Sequence, residues 1–299
     1  MAVGQMPKGL AMKYAINQDI AGRLDEVAQV LDEQGANRFR VRAYHHAAAV
    51  LRDLPVPISK IYAEQGLEGL DALPGVGESI SHAIRDILRH GKLAMLDRLR
   101  GEHDPIALLT SVPGIGTALA WKLHDDLGLE SLEDLETAAH DGRLEQFGGF
   151  GAKRLAGIRD SLAQRLGRVR RPTVAGERAT QPTIAELLDV DAEYRRAAHA
   201  GTLPRIAPRR FNRAGEAWLP VLHTTRGRRH YTALFSNTAR AHAQDRTHDW
   251  VVLYFDGPEG ERQCTVITAE FGRLQGRRIV RGREAECEQH YGRHSACAA

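Results

Sequence analysis

Two short segments of this 299-residue chain share the pattern apolar-Pro-Gly-apolar-Gly. They span residues 73–77 and 112–116, and a weaker third copy spans residues 147–151. Glycine permits positive φ angles and carries no Cβ, so that neighbouring backbone N–H groups can converge on an anion. Each segment precedes a predicted helix, whose first N–H groups and positive dipole end attract the same anion. The pattern therefore predicts hairpins between helices that bind phosphate groups.

Hairpins of this kind contact the sugar-phosphate backbone of a nucleic acid and do not read its bases. A tight turn that only packs two helices together needs similar residues, so simple helix packing is the alternative interpretation. Two close copies in similar helical surroundings favour phosphate binding. The candidate DNA-binding residues of the hairpins are Gly75, Val76, Gly77, Gly114, Ile115, Gly116, Gly149, Gly151 and Lys153.

The composition is that of an ordinary soluble protein with two or three domains. The chain contains no run of about 18 apolar residues. The first 17 residues lack the apolar core of a signal peptide. Three cysteines, Cys264, Cys287 and Cys297, fit a reducing compartment better than a disulfide framework. These features predict a cytoplasmic protein without a membrane partner.

The net charge of +3 is unevenly distributed along the chain. Residues 1–150 contain 15 Lys and Arg against 22 Asp and Glu, whereas residues 151–299 contain 26 against 16. Lys and Arg supply most of the non-specific affinity for DNA, so the acidic hairpin half is poorly suited to simple electrostatic capture. Either its basic residues cluster on one face, or the basic second half supplies much of the affinity.

Apolar residues recur at helical spacing through the first half, with Asn17 as the predicted N-cap of the first helix. We predict helices over residues 18–33, 39–53, 58–64, 67–72, 78–89, 106–112, 152–166 and 184–199, with two more ending at Gly128 and opening at a Ser131 capping box. After residue 204 the apolar period becomes strand-like. We predict strands over residues 217–224, 229–235, 250–256, 263–268 and 277–281, with a short helix between residues 237 and 245. The fold class is therefore multidomain, with an all-α tandem helix-hairpin-helix N-terminal half and a small antiparallel β or α+β C-terminal domain.

The first half resembles the N-terminal lyase-like and fingers-like domains of family X DNA polymerases. Five segments carry the resemblance: residues 20–24, 35–44, 73–77, 112–116 and 144–153. The resemblance implies that the hairpins bind the DNA backbone at either side of a gap or nick, and that Arg40 and Tyr44 occupy phosphate-pocket positions. It also implies a monovalent cation, K⁺ or Na⁺, as the one cofactor, on the backbone carbonyls of Leu73, Val76, Thr110, Val112 and Ile115.

On this basis we divide the chain into four parts. Residues 1–92 form a lyase-like helical domain with the first hairpin, and residues 93–166 form a fingers-like domain with the second and third. Residues 167–204 form a basic linker with a short helix. Residues 205–299 form a β-rich domain whose role the resemblance does not cover.

The chain departs from the family pattern where the family performs chemistry. Ala83 stands where members with lyase activity carry the Schiff-base lysine, and an alanine cannot form an imine. Ser79 also replaces a lysine, and Phe39 replaces a polar residue beside the phosphate pocket. The one Asp-x-Asp motif, at residues 189–191, falls in a predicted helix and is interpreted as helix N-terminal acids. A polymerase palm, which needs several carboxylates on adjacent strands, is therefore not predicted.

Two groups in the C-terminal part could carry chemistry. A turn at Arg226-Gly227 predicts that His223 faces His230 and Thr225 faces Arg228 on one sheet face. Each histidine opens a His-x-Thr triplet, a pattern used by some phosphoesterases, although a solvated or phosphate-contacting polar face is favoured over catalysis. Near the C-terminus, zinc-ligand types recur at helical spacing, with coincidence favoured over a metal site. These residues are Cys287, His290, His294 and Cys297.

The main hypothesis is a non-catalytic protein that binds gapped, nicked or distorted DNA in DNA repair. The first alternative is a DNA-processing enzyme, either a nuclease or phosphoesterase or a degenerate family X polymerase or lyase, with its chemistry in the C-terminal domain. The second alternative is an adaptor whose C-terminal domain binds a protein partner while the hairpins hold DNA.

Overall fold

The computed structural model describes residues 8–102, 105–148, 150–166, 181–257 and 260–297. The chain divides into two compact units, the first comprising residues 1–99 with 258–260 and the second comprising residues 100–257 with 261–299. Within the described part of the chain, no helix is long and apolar enough to span a membrane.

The first unit is helical and contains the first hairpin. Its helices are α1 (Lys8–Glu33), α2 (Arg38–Asp53), α3 (Ile58–Asp71), α4 (Glu78–His90) and α5 (Ala94–Leu99). Leucines and isoleucines from α1 to α5 form one core, in which Leu24, Leu51 and Ile84 are fully buried. Helix α3 is interrupted at Gly66, whose φ of 64° is not helical, which confirms the two predicted segments on either side of it.

Asn17 is not the N-cap of the first helix, because α1 already begins at Lys8. The Asn17 side chain is fully buried, and its Oδ1 accepts a hydrogen bond from the Ile58 N–H at 2.8 Å. Its Nδ2 donates to the Val56 carbonyl at 3.0 Å. Pro57, the residue at the N-cap of α3, makes no side-chain hydrogen bond to the helix. Asn17 therefore accepts a hydrogen bond from the first N–H group of α3, and it does not cap α1 as predicted.

The second unit begins with a helical part that carries the other two hairpins. Its helices are α6 (Pro105–Thr110), α7 (Thr117–Leu127), α8 (Leu132–His140), α9 (Arg143–Gln146) and α10 (Ala152–Arg165). Ser131 caps α8 by accepting a hydrogen bond from the Asp134 N–H at 3.0 Å, which confirms the predicted capping box. Leu109, Leu123 and Ile158 belong to the core of this part.

The C-terminal part is a six-stranded antiparallel sheet in which the strands follow chain order. The strands are β1 (Arg205–Ile206), β2 (Leu219–Arg226), β3 (Arg229–Phe235), β4 (Val251–Gly257), β5 (Gly260–Thr268) and β6 (Arg278–Val280). Three helices accompany them: α11 (Ile184–His199), α12 (Ala239–Ala243) and α13 (Glu284–Cys297). The predicted all-α first half and antiparallel C-terminal part are both confirmed.

Helix α11 packs on one face of the sheet through the Tyr194 hydroxyl. This group donates to the Pro220 carbonyl at 3.0 Å and accepts from the Phe235 N–H at 2.8 Å. The regular ladder between β2 and β3 ends one pair earlier, at Val221 and Leu234. The phenol therefore occupies the next rung of the ladder and pairs two buried backbone groups.

The interpretation of Asp189 and Asp191 as helix N-terminal acids is wrong. Helix α11 begins at Ile184, so both acids lie beyond its first turn, and Asp191 is fully buried. The Arg278 guanidinium donates to both oxygens of Asp191, at 2.7 and 3.1 Å. Asp189 pairs with Arg226 at 2.6 Å. Both carboxylates are engaged by arginines of the sheet, because helix α11 presents them to its strands.

A buried carboxylate joins the helical part of the second unit to its C-terminal part. Glu130 is 7% exposed at its side chain, forms an ion pair with Arg210 and accepts a hydrogen bond from the Ala239 N–H at 2.9 Å. Burial alone would raise the pKa of Glu130, but the hydrogen bonds from Arg210 and Ala239 outweigh it and lower that pKa. Nearby, Thr265 of β5 donates a hydrogen bond to Glu133 of α8.

Removing this carboxylate will destabilise the second unit. We expect Glu130→Ala to cost about 3 kcal/mol, because the half-buried Arg210 guanidinium and the Ala239 N–H both lose their acceptor. The folded-state pKa of Glu130 lies below its ordinary value of 4.5. Its contribution is thus present above that pH and is lost as the pH falls through the folded pKa. Urea unfolding at pH 7 and pH 4 measures both effects.

The matched control is Glu145→Ala in the same unit. Glu145 is 55% exposed at its side chain and pairs with Arg159 on the surface. Its loss should change the unfolding free energy by less than about 1 kcal/mol. Equal losses for the two variants at pH 7 would contradict the assignment of Glu130 as the joining group.

Candidate nucleic-acid interface

The first hairpin, between α3 and α4, has an exposed tip and a buried anchor. The Val76 N–H donates to the Leu73 carbonyl at 3.1 Å and closes the turn, while the Val76 side chain is buried in the core. Gly75 has a φ of +72°. A Cβ at Gly75 would also overlap the imidazole of His46 from α2. Gly75 is therefore fixed by backbone conformation and by packing, and Val76 holds the loop in place.

The second hairpin, between α6 and α7, repeats this geometry. The Ile115 N–H donates to the Val112 carbonyl at 3.0 Å, and Ile115 is buried. Gly114 has a φ of +91°, and a Cβ there would lie 3.5 Å from Cγ of Arg154. Arg154 belongs to α10, the helix that follows the third hairpin. A side chain from the third hairpin's helix therefore lies against the second hairpin.

The last glycine of each hairpin has a different environment from the first. Gly77 and Gly116 have negative φ angles of −98° and −83°, and a Cβ on either would meet nothing within 4 Å. Each is the N-cap of the following helix, and neither helix receives a side-chain cap. Four other helices do receive one, from Asn37, Ser131, Thr183 and Thr238. The glycine at these two positions is not explained by contacts within the protein, and it leaves the helix N-termini open to an anion.

The third hairpin lies between α9 and α10. Gly148 has a φ of +79°, and a Cβ at Gly151 would meet nothing within 4 Å. Lys153 and Arg154 are exposed in the first turn of α10, which contains no acid. Gly149 lies outside the described residues. The second and third hairpins thus offer backbone N–H groups beside two cations, the arrangement that suits a phosphate.

The first turns of the helices that follow the hairpins contain few acids. Helix α7 has no acid in its first turn, and α4 has one, Glu78. Helix α2, which approaches the first hairpin through His46, also exposes Arg38 and Arg42. Because Asp71 and Glu78 are exposed on either side of the first hairpin, the clustering of basic residues on one face stays a prediction.

Arg40 and Tyr44, the predicted phosphate-pocket residues, lie in the interior of the first unit. Arg40 is 9% exposed and Tyr44 is 2% exposed. The Arg40 Nη2 donates to Met95 Sδ at 3.6 Å, and its Nε has no hydrogen-bond partner within the described residues. A buried guanidinium without a carboxylate is costly, so Arg40 is a position where an anion would be stabilised.

Two further predictions from the resemblance concern the same surroundings. Ala83 is 6% exposed and packs in the core, so the position of the lyase amine is filled by apolar packing. The carbonyls predicted to hold a cation include Leu73 and Val112, which already accept the turn-closing hydrogen bonds. A carbonyl oxygen has a second lone pair, so these residues fit a K⁺ or Na⁺ ion. The cation site stays a prediction.

The predicted pairing of His223 with His230 is wrong by one rung. The register places His223 opposite Thr232 and Thr225 opposite His230. The two turn residues are Gly227, with a φ of +57°, and Arg228. A II′-type turn needs glycine at its first central position, and Gly227 occupies that position. Arg228 is therefore exposed in the turn and does not face Thr225.

Both histidines nevertheless share one sheet face, with a threonine beside each. The His223 Nδ1 and Thr232 Oγ1 are 3.1 Å apart, and the His230 Nδ1 and Thr225 Oγ1 are 3.2 Å apart. Each imidazole is thus oriented by a hydroxyl. This arrangement suits a polar binding face, and the catalytic interpretation stays a prediction.

The candidate zinc ligands near the C-terminus lie on α13. Cys287 is fully buried, and its Sγ accepts a hydrogen bond from the Val280 N–H at 3.4 Å. The side chains of His294 and Cys297 lie outside the described residues. Among the side chains that the structure does describe, no group of three or more His, Cys, Asp or Glu residues could hold a metal ion.

Sequence comparisons assign the hairpins to known domain families. Residues 15–93 match the family model described as "Helix-hairpin-helix domain". Residues 106–164 match the model described as "SAM-like Helix-hairpin-helix tandem". The N-terminal half of the chain thus consists of helix-hairpin-helix domains.

The same half is similar to family X DNA polymerases, which confirms the resemblance. The chain is 27% identical to the DNA polymerase/3′-5′ exonuclease PolX of Bacillus subtilis over 49% of its length, and this covers 25% of that protein. It is 28% identical to the DNA-directed DNA/RNA polymerase mu of Homo sapiens over 40% of its length, covering 23% of that protein. It is 30% identical to the DNA polymerase lambda of Arabidopsis thaliana over 40% of its length, covering 21% of that protein. The chain therefore spans about a quarter of the length of these relatives.

The two glycines of one hairpin will differ in their effect on stability. We expect Gly75→Ala to cost about 1–2 kcal/mol, because alanine is strained at a φ of +72° and the His46 ring must move. Gly77→Ala should cost less than about 1 kcal/mol, because its φ is allowed and its Cβ meets nothing. Chemical denaturation measures both, and a larger loss for Gly77→Ala would contradict the described packing.

Proposed function

We propose that the protein binds the sugar-phosphate backbone of DNA through its helix-hairpin-helix motifs, at gaps, nicks and other distorted sites, and acts in DNA repair. The observation that carries the proposal is the open environment of Gly77 and Gly116. Both glycines begin a helix without a side-chain cap, and neither is required by the fold. Close approach of a phosphate to the backbone accounts for both features.

The distribution of the hairpins supports binding at a break in the duplex. The first hairpin belongs to the first unit, and the other two belong to the second. A protein that holds DNA on both sides of a gap needs two separate backbone contacts. The names of the relatives, all DNA polymerases, support DNA as the ligand.

Arg40 supports the presence of a terminal phosphate in the ligand. Its guanidinium is buried, with Met95 Sδ as the one acceptor that the structure shows for Nη2. A phosphate at a strand end carries more charge than one inside the strand. Its attraction to a buried arginine therefore offsets more of the free energy lost when that arginine is desolvated. A 5′-phosphate at a gap or nick is the group of this kind that distorted DNA offers.

Adding a Cβ at the open glycines will weaken DNA binding without unfolding the protein. We expect the double variant Gly77→Ala/Gly116→Ala to lower affinity for gapped duplex about tenfold, through lost contacts between N–H groups and phosphates. Fluorescence anisotropy with labelled gapped DNA measures the loss. The matched control is Gly22→Ala/Gly157→Ala, since both of those glycines also have nothing within 4 Å. Equal affinities for the two double variants would contradict the proposed interface.

The choice of DNA structure is tested with one panel of ligands. We expect the full chain to bind gapped and nicked duplexes more tightly than intact duplex of the same sequence. Equal affinity for intact and interrupted duplexes would contradict the preference for distorted DNA.

The same panel of ligands tests the enzymatic alternative when it is incubated with Mg²⁺, Mn²⁺ or Zn²⁺. Cleavage that His223→Ala abolishes would support that alternative.

Replacing Arg40 will change DNA binding without lowering the stability of the protein. We expect Arg40→Met to leave the unfolding free energy unchanged or raised, because an unpaired buried charge is replaced by an apolar side chain. The same variant should lose the preference for a gap carrying a 5′-phosphate over one carrying a 5′-hydroxyl. Denaturation and anisotropy with the two ligands measure the two effects. A variant that is destabilised, or that keeps the 5′-phosphate preference, would contradict the role of Arg40.

A further inference from the structure

The connection between β5 and β6 is an ordered loop that presents a phenylalanine to solvent. Its base is closed by two hydrogen bonds, from the Ala269 N–H to the Arg277 carbonyl at 2.9 Å and from the Gly276 N–H to the Ala269 carbonyl at 2.8 Å. Leu274 anchors its tip in the core of the sheet. Phe271, at the other side of the tip, is 82% exposed.

The fold gives no reason for an aromatic residue at position 271. Glycines at 272 and 276 supply the positive φ angles of the loop, +83° and +77°. Leu274 supplies its apolar anchor. Exposing a whole aromatic ring forgoes its burial, so the ring of Phe271 is available for stacking on another molecule.

Two exposed arginines follow this ring in the same loop. Arg273 and Arg277 are exposed on the same loop, and the Arg277 guanidinium lies 4.7 Å from the centroid of the Tyr291 ring. Glu270, the one acid of the loop, is paired with Arg246 at 2.6 Å. Every basic residue after Lys153 in this chain is arginine or histidine, and the planar guanidinium suits phosphates and base stacking better than the lysine ammonium does.

We propose that Phe271, with Arg273 and Arg277, forms a stacking site for an unpaired nucleotide of a DNA strand. The ring stacks on the base, and the two guanidiniums hold the flanking phosphates. A single ring covers about 200 Å². A stable protein partner needs about 800 Å² on each side. The positive charge and the small apolar area therefore favour a nucleotide over a protein surface. This assigns a ligand to the C-terminal domain and does not depend on the hairpins.

The experiment measures binding of the full chain to a labelled single-stranded oligonucleotide. We expect Phe271→Ala to weaken binding about 5- to 150-fold, the range for loss of one base–aromatic stack. Phe271→Trp should restore the affinity, and the fluorescence of the new indole should be quenched when the strand binds. Arg273→Gln/Arg277→Gln should reduce the slope of log affinity against log salt by about 1.4, because two phosphate contacts are lost.

Phe271→Leu is the matched control, since it keeps an apolar side chain and removes the ring. If stacking is the interaction, this variant binds single strands as weakly as Phe271→Ala. Unchanged single-strand affinity in Phe271→Ala, or full affinity in Phe271→Leu, would overturn the proposal. Intact duplex, which offers no unpaired base, should bind Phe271→Ala as it binds the unsubstituted chain. Loss of duplex binding in Gly77→Ala/Gly116→Ala tests the hairpins independently, so the two proposals fail separately.

Discussion

The first backbone N–H groups of an α-helix have no acceptor within the helix, and this requirement organises much of the molecule. Helices α2, α8, α11 and α12 meet it with a side chain at their own N-cap. Helix α3 meets it with Asn17 from a distant helix. Helices α4 and α7 have glycine at the N-cap, which supplies no side-chain hydrogen bond. The helices that receive a side-chain hydrogen bond are thus distinguished from the two whose N-termini we propose to bind phosphate.

Much of the fold follows from local sequence. The prediction for α11 agrees with the structure at both ends, since apolar spacing defines its buried face and Thr183 caps it. The start of α1 was predicted wrongly because asparagine is a common N-cap type, whereas the true acceptor role of Asn17 serves Ile58, 41 positions away. The turn between β2 and β3 was misplaced by one residue because arginines flank Gly227 on both sides. The positive φ of Gly227 fits the first central position of the turn, in agreement with the observed register.

The candidate site was predictable in its backbone and not in its surroundings. Gly75 and Gly114 could be identified from sequence because their pattern repeats and positive φ demands glycine. The approach of His46 to the first hairpin and of Arg154 to the second could not, because each comes from a segment some 30 to 40 residues away. The same limit applies to Arg40, whose position in the resemblance implied phosphate binding, whereas its burial against Met95 is visible only in the structure.

The burial of Glu130 has a consequence for the thermodynamics of any ligand held by the second and third hairpins. A flexibly tethered binding module loses freedom of motion when it binds, and this entropy opposes association. Here Arg210 and the Ala239 N–H fix the carboxylate that precedes α8, so the helical part and the sheet are already ordered as one unit. The ordering was completed when the chain folded. A ligand of these hairpins therefore meets a preorganised surface and loses little of its binding free energy to immobilising the protein.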